Sequence, residues 1–332
     1  MGGRKRRSND DPSVVGGLFL DKPAGMTSHD VVGRVRRALG IRRVGHAGTL
    51  DPMATGVLVL GVGPTTRLLG IIGGHDKEYT ATIRLGASTT TDDREGEMVS
   101  RASASDIEAV TDDAIRNAVA ALTGTIDQRP SSVSAVKIDG KRSYQRVREG
   151  EDVVLPTRTV TISTFEIAGI ERGPQRIDLR VRVECSAGTY IRALARDVGQ
   201  MLGVGGHLTQ LRRTRSGGVR VDACGDLDSV GVESLISPAE LARRELPVVE
   251  IDAPAVVTVR NGGRCSVELP REPAVALIGP GDDLVAIVDA SGESWTYLAV
   301  LPPLALDLTG DGLPGKASGQ RQAQQSDDQD DA

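Results

Sequence analysis

His46-Ala-Gly-Thr-Leu-Asp51-Pro-Met-Ala-Thr-Gly56-Val-Leu58 places a single carboxylate between a glycine-containing loop and the apolar run Val57–Leu60. Pro52 restricts the backbone beside Asp51, and the apolar run keeps its surroundings partly dry. A carboxylate so placed can act as a nucleophile, a general base or a stabiliser of an oxocarbenium ion. Taken alone, an Asp-Pro pair in a turn is usually only a turn.

Working outward, strand-like runs occupy Gly17–Leu20, Val57–Leu60, Tyr79–Leu85, Val160–Ile167, Ile177–Cys185, Ala255–Val259, Val285–Asp289 and Trp295–Leu301. Along Ile177–Val183 apolar residues alternate with Asp178, Arg180 and Arg182, the period of a half-buried strand. Asp139-Gly140 predicts a hairpin. Three helices are expected. One is capped by Ser28 and runs to Leu39, with Val31, Val35, Ala38 and Leu39 inward. One is capped by Thr111, with Ile115, Val119 and Leu122 inward. The third spans about Thr189 to Leu202, with Ile191, Leu194, Val198 and Met201 inward and Tyr190 and Arg192 in its first turn. Strands and helices mix without regular alternation, so the fold class is α+β. Beyond Leu246–Pro254 the segment to about Pro303 reads as all strand, a small β-barrel-like unit. Residues 1–12 read as a disordered basic extension and 305–332 as a disordered acidic tail, leaving 13–247 and 248–304 as the folded domains.

Composition narrows the function classes. The 332 residues carry a net charge of −5. Residues 1–12 hold four basic and two acidic groups and residues 307–332 two basic and six acidic, so the body is near −3. That excludes a bulk nucleic-acid binder, yet the arginines are grouped. Arg34, Arg36, Arg37, Arg42 and Arg43 form one cluster; Lys137, Lys141, Arg142, Arg146 and Arg148 a second; Arg212, Arg213, Arg215 and Arg220 a third. Each alone could be a solvated face; together they suit a polyanion met at one place. Of seven aromatic residues, Tyr79, Tyr144 and Tyr190 lie in polar, arginine-rich stretches, where a ring can stack on a base or simply pack with its hydroxyl bonded. Cys185, Cys224 and Cys265 are an odd set without CxxC spacing, and the four histidines form no HxxxH pair. Neither a disulfide framework nor a metal site is expected. No apolar run reaches the 18–20 residues or so that span a bilayer and no secretory signal is visible, so a cytoplasmic protein is expected.

The motif around Asp51 does not stand alone. HAGTLDPMATGVLVLGVGPTTR closely resembles the catalytic motif of the TruB family of tRNA pseudouridine synthases. GLFLDKPAGMTSHDVVGRVRR, DKEYTATIRLG, QRPSSVSAVKIDGKRSYQRVREG, CSAGTYIRALARDVG and HLTQLRRTRSG resemble its other motifs, in the family's order, over about residues 16–220. Several motifs in order are far more specific than one. The resemblance implies a pseudouridine synthase fold with a mixed, mainly antiparallel central sheet flanked by helices, an insertion near 127–150 that closes over the RNA arm, and a PUA-like domain at 248–304.

It also implies roles. Asp51 falls on the catalytic aspartate, Tyr79 on the aromatic that packs against the flipped uracil, and Arg192 on the ion-pair partner of the aspartate. Tyr190, Leu211 and His46 fall on substrate-binding positions, His46 on the histidine that supports the extruded-base state of the RNA loop. Lys22 matches the lysine of the N-terminal KP motif, a structural support, and Arg67 stands where many relatives have lysine. The implied reaction converts uracil-55 of the tRNA T-loop to pseudouridine, without redox change, cofactor or metal, by a stand-alone monomer on the T-arm with no guide RNA. A buried uridine must leave its stack to be reached, and cleaving its glycosidic bond develops positive charge on the sugar, which Asp51 can trap or stabilise. Alternatives are a dyskerin-type, guide-dependent synthase, a tRNA-folding chaperone, and an unrelated hydrolase using Asp51.

Overall fold

Thr27, not Ser28, caps the first helix, Ser28–Leu39. Its hydroxyl accepts from the Asp30 amide and Asp30 accepts from the Thr27 amide, a capping box. Ser28 is the first helical residue and is buried, its hydroxyl bonded to the Leu50 backbone instead. The helix buries Val31, Val32, Val35 and Leu39; Ala38, expected inward, is exposed because Val32 occupies the buried stripe. These features come from a computed structural model, which describes residues 11–131, 137–138, 141–142 and 156–303. Tyr144, Arg146, Arg148, most of the expected insertion and nearly all of both tails lie outside the described residues.

The strands are β1 (Gly16–Lys22), β2 (Val44–Ala47), β3 (Thr55–Val62), β4 (Lys77–Leu85), β5 (Ala87–Thr89), β6 (Met98–Arg101) and β7 (Gly124–Gln128). A short pair follows, β8 (Lys137–Ile138) and β9 (Lys141–Arg142), antiparallel across the two residues expected to turn. Then come β10 (Arg158–Gly173), β11 (Arg176–Cys185), β12 (Gly206–Ser216), β13 (Val219–Arg220), β14 (Val248–Glu250), β15 (Val275–Gly279), β16 (Asp283–Asp289) and β17 (Thr296–Val300). The central sheet has nine strands in the order β1-β3-β12-β4-β11-β10-β7, with β2 on β3 and β13 on β12. Its pairings are antiparallel except β3–β12, which meet in parallel at Arg212–Thr55 and Arg213–Gly56. The sheet is therefore mixed and mainly antiparallel, and the chain is α+β.

Alternation along β4 turns Lys77, Tyr79, Ala81, Ile83 and Leu85 to one face. The helices Asp112–Ala121 and Ile191–Met201 cover this face, packing Ile115, Val119, Leu194 and Val198 against Ile83, Leu85, Val181 and Val183. Thr111 caps the former as expected. In the latter Met201 is 53% exposed. There Gly199 meets the backbone of Gly205–Gly206, so the inner stripe passes through Gly199 rather than Met201.

Ala255–Val259 is helical, not a strand. Asp252 accepts from the Ala255 amide and Pro254 sits in the first turn, so the helix Ala253–Arg260 forms despite its β-branched residues. The C-terminal segment is thus a four-stranded sheet, β14-β15-β16-β17, with one helix rather than strands alone. Ala276, Ile278, Leu284, Ile287 and Leu301 share one apolar cluster with Phe19, Val57, Val59, Leu68 and Ile72 of the central sheet region. No helix among the described residues is long and apolar enough to cross a membrane.

Candidate active site

The loop between β2 and β3 carries Asp51, and several anchors hold its backbone. The Ser28 hydroxyl accepts from the Leu50 amide at 2.8 Å and donates to the Leu50 carbonyl at 3.1 Å. Lys22, fully buried, donates from Nζ to the carbonyls of Pro23 (2.9 Å), Met26 (2.5 Å) and Pro52 (3.3 Å). The Gly25 amide also donates to Pro52. Arg213, 1% exposed, closes the loop from beneath, donating from Nη2 to Gly48 O at 3.0 Å and from Nε to Val57 O at 2.7 Å.

With its backbone fixed, Asp51 keeps a partly open carboxylate whose side chain is 33% exposed. Arg192, in the first turn of Ile191–Met201, lies side-on to it, Nε 2.9 Å from Oδ2 and Nη2 donating to Oδ1 at 3.1 Å. The far side of that guanidinium is held in turn. Nη1 donates to Thr91 O at 2.8 Å and lies 3.5 Å from the buried Asp93 carboxylate. A guanidinium fixed at both ends orients the carboxylate it grips.

Tyr79, Tyr190, Leu211, Arg192 and Asp51 line one cleft of about 260 Å³, along with Lys77, Arg213, Gly48 and the Gly188–Thr189 turn. Tyr79 is buried, and burial pushes its hydroxyl above the usual phenol range, with the adjoining Arg213 pulling the other way. Tyr190, expected in the first helical turn, is the extended residue just before the helix. Its backbone is clamped by the buried Gln128 amide, which accepts from Tyr190 N at 2.8 Å and donates to Tyr190 O at 3.0 Å, while Arg158 stacks over its ring at 5.4 Å. Leu211 sits opposite Ala81 in the β12–β4 pairing, with Arg213 opposite Tyr79.

Three candidates lie outside the cleft wall. His46 lies on β2 opposite Leu60, outside the cleft wall. Burial, then Arg213 and His29, hold its imidazole below the ordinary value, which favours the neutral form. Arg67, exposed on the turn Gly63–Leu68, donates to the Val300 carbonyl of β17, away from Asp51. Lys22 is also absent from the cleft wall; it touches the site through the backbone it anchors.

Arg213, expected in a basic cluster facing a polyanion, is instead buried under the Asp51 loop because its guanidinium bonds the Val57 and Gly48 carbonyls; Lys77, Thr91, Asp93 and Gln128 carry no role in the sequence reading. For Lys77 and for the inward turn of Arg213 a signal exists. Lys77 and Tyr79 share a face at period two, and so do Leu211 and Arg213. For Asp93 and Gln128 none does, because only the fold brings 93 and 128 to 190–192.

The chain matches the TruB family pseudouridylate synthase N-terminal domain over residues 36–191 and the tRNA pseudouridylate synthase B C-terminal domain over 192–245. A tRNA pseudouridine synthase B of Leifsonia xyli subsp. xyli is 51% identical over 289 residues, which are 86% of this chain and 96% of that protein. The chain belongs to the TruB family. It is 52% identical to the tRNA pseudouridine synthase B of Cutibacterium acnes over 282 residues, 84% of this chain and 94% of that one. A solved H/ACA RNP bound to a substrate RNA containing 2′-deoxyuridine is 26% identical with a TM-score of 0.62, covering 88% of this chain and 86% of that one. The TruB fold thus extends over most of the chain.

Proposed function

We propose that this chain is a tRNA pseudouridine synthase that isomerises uracil-55 of the T-loop. The observation that carries the reading is a partly open aspartate gripped side-on by a buried arginine in a cleft walled by Tyr79 and Leu211. The TruB relatives named for this activity support it.

In this reading the target uridine leaves its stack and enters the cleft, its ring against Tyr79 and Leu211 and beside Tyr190. Arg192 presents Asp51 in one orientation toward the sugar. As the glycosidic bond breaks, the carboxylate traps or stabilises the positive C1′; the ring turns and rejoins through C5. Tyr79, held as a neutral phenol by burial, packs on the ring and relays the C5 proton only with help from a stronger base. His46 supports the RNA loop beside the cleft. Arg67, exposed beside β17, meets backbone phosphate rather than base. The segment 248–304 acts as a PUA-like arm for the same tRNA. The enzyme works in the cytoplasm as a monomer, without a guide.

Tritium release from an unmodified tRNA transcript labelled at uridine C5 tests this. Wild type is expected to release label from the T-loop uridine, and Asp51→Ala to release none. The likeness to the H/ACA RNP structure motivates the guide-dependent alternative. No release from folded wild-type protein alone would sink the stand-alone reading and favour that alternative.

A further inference from the structure

Two cations in the cleft wall have no carboxylate within ion-pair distance among the described residues. Lys77 is 5% exposed and Arg213 1%. Burying a cation without a counter-ion is costly, and here two stand together. A Cβ on Gly48 would lie 3.3 Å from Arg213 Nη1 and 3.6 Å from Lys77 Cε, so both side chains converge on one point of the wall. Lys77 donates to the carbonyls of Gly73 (2.8 Å) and His75, leaving one of three ammonium protons unassigned. Among the carboxylates nearby, Asp51 is engaged with Arg192 and Glu245 with His75 at 2.7 Å, and Asp76, next in the chain, acts on Lys77 through its field without forming an ion pair. Lys22 is buried too, but three carbonyls enclose it and it is not part of the wall. The cleft therefore presents, beside Tyr79 and on the side where the base would sit, two buried cations with no direct counter-ion among the described residues.

We propose that Lys77, with Arg213 behind it, is a catalytic residue that stabilises the uracil anion formed when the C1′–N1 bond breaks. The proposal rests on the isomerase reading above. When that bond breaks heterolytically, both electrons stay on the ring, giving a monoanion shared by N1, O2 and O4, while the sugar carries the positive charge met by Asp51. When C5 attacks C1′ the ring becomes neutral; C5 then gives up its proton and N1 gains one, so the product is an isomer of the substrate. A cation already desolvated at the ring stabilises the anion without reorganisation when the bond breaks. Burial has pushed Lys77 down to about 8, which leaves it mostly protonated at pH 7, and an anion beside it would favour that form further.

A fluorine at C5 withdraws charge and makes the ring a better leaving group, so fluorinated substrate needs the cation less. Single-turnover loss of the starting nucleoside from T-arm RNA carrying uridine or 5-fluorouridine is measured by mass spectrometry of digested nucleosides, because re-joined 5-fluorouracil has no C5 proton to give up and takes up water at C6 instead; RNA binding and thermal unfolding are followed in parallel. Lys77→Met is expected to slow uridine conversion about 10²-fold and 5-fluorouridine conversion at least tenfold less. Lys77→Arg should recover most of the rate, and Lys77→Gln little. If Met does not fold, the Arg and Gln pair carries the same comparison. Equal losses on both substrates, or an unchanged rate, would overturn the proposal. Wild type inert on both RNAs would instead overturn the isomerase reading itself.

Discussion

Lys22 and Lys77 sit 55 residues apart in sequence, yet burial pushes both down to about 8. An unfolded lysine titrates near 10.4. Between those values the unfolded chain holds more protons than the folded one, so the contribution of these sites to stability rises as pH climbs through 8. Cys185 and Cys224, pushed up to about 11 by burial, act in the opposite sense once pH passes their unfolded value near 9. Urea midpoints should therefore rise from about pH 7.5 to about pH 8.8, with Lys22→Met flattening the rise; a slope identical to wild type would count against it. At this scale Asp51, Tyr79, Tyr190, Arg192 and Leu211 are legible from the ordered motifs, and the fold gathers them into one cleft. His46 and Arg67 come from the same motifs but stand outside that wall. A motif orders residues along the chain without saying which way each strand turns them.

At the scale of elements, the parallel contact between β3 and β12 depends on one glycine. Gly56 has φ +104°, and a Cβ there would sit 2.1 Å from the Arg213 carbonyl. Gly56→Ala should cost about 3 kcal/mol through strain and displaced backbone, read by chemical denaturation. Gly25 also has positive φ (+80°) but nothing within 4 Å, so Gly25→Ala should cost only about 1–2 kcal/mol. Equal effects would show that close approach is not the cause. Thr27→Ala, which removes the cap of Ser28–Leu39, should cost about 1 kcal/mol by the same measurement. The Asp51 loop would then lose precision, since Ser28 holds Leu50. Strands β4 and β11 are readable from the alternation of their residues alone. Ala255–Val259 misleads because β-branched residues suggest a strand, whereas the Asp252 cap and Pro254 favour a helix start.

Across the whole molecule, the C-terminal sheet shares its apolar cluster with the central sheet region, and Arg67 bonds β17. Calorimetry of the full chain should give a single cooperative transition, and truncation after Pro247 should lower the melting temperature of what remains. Two well-separated transitions would contradict this. The α+β class, the main strands, the start of the helix that carries Arg192 and the candidacy of Asp51 and Arg192 were legible in the chain alone, because periodicity, caps and ordered motifs are local properties of the chain. Tertiary structure alone decided that Arg213 closes the Asp51 loop, that Asp93 and Gln128 brace Arg192 and Tyr190, and that Lys77 joins Arg213 in the cleft wall with no ion-pair partner among the described residues. Those facts depend on strand order and on burial, and both are set by contacts between segments far apart in sequence.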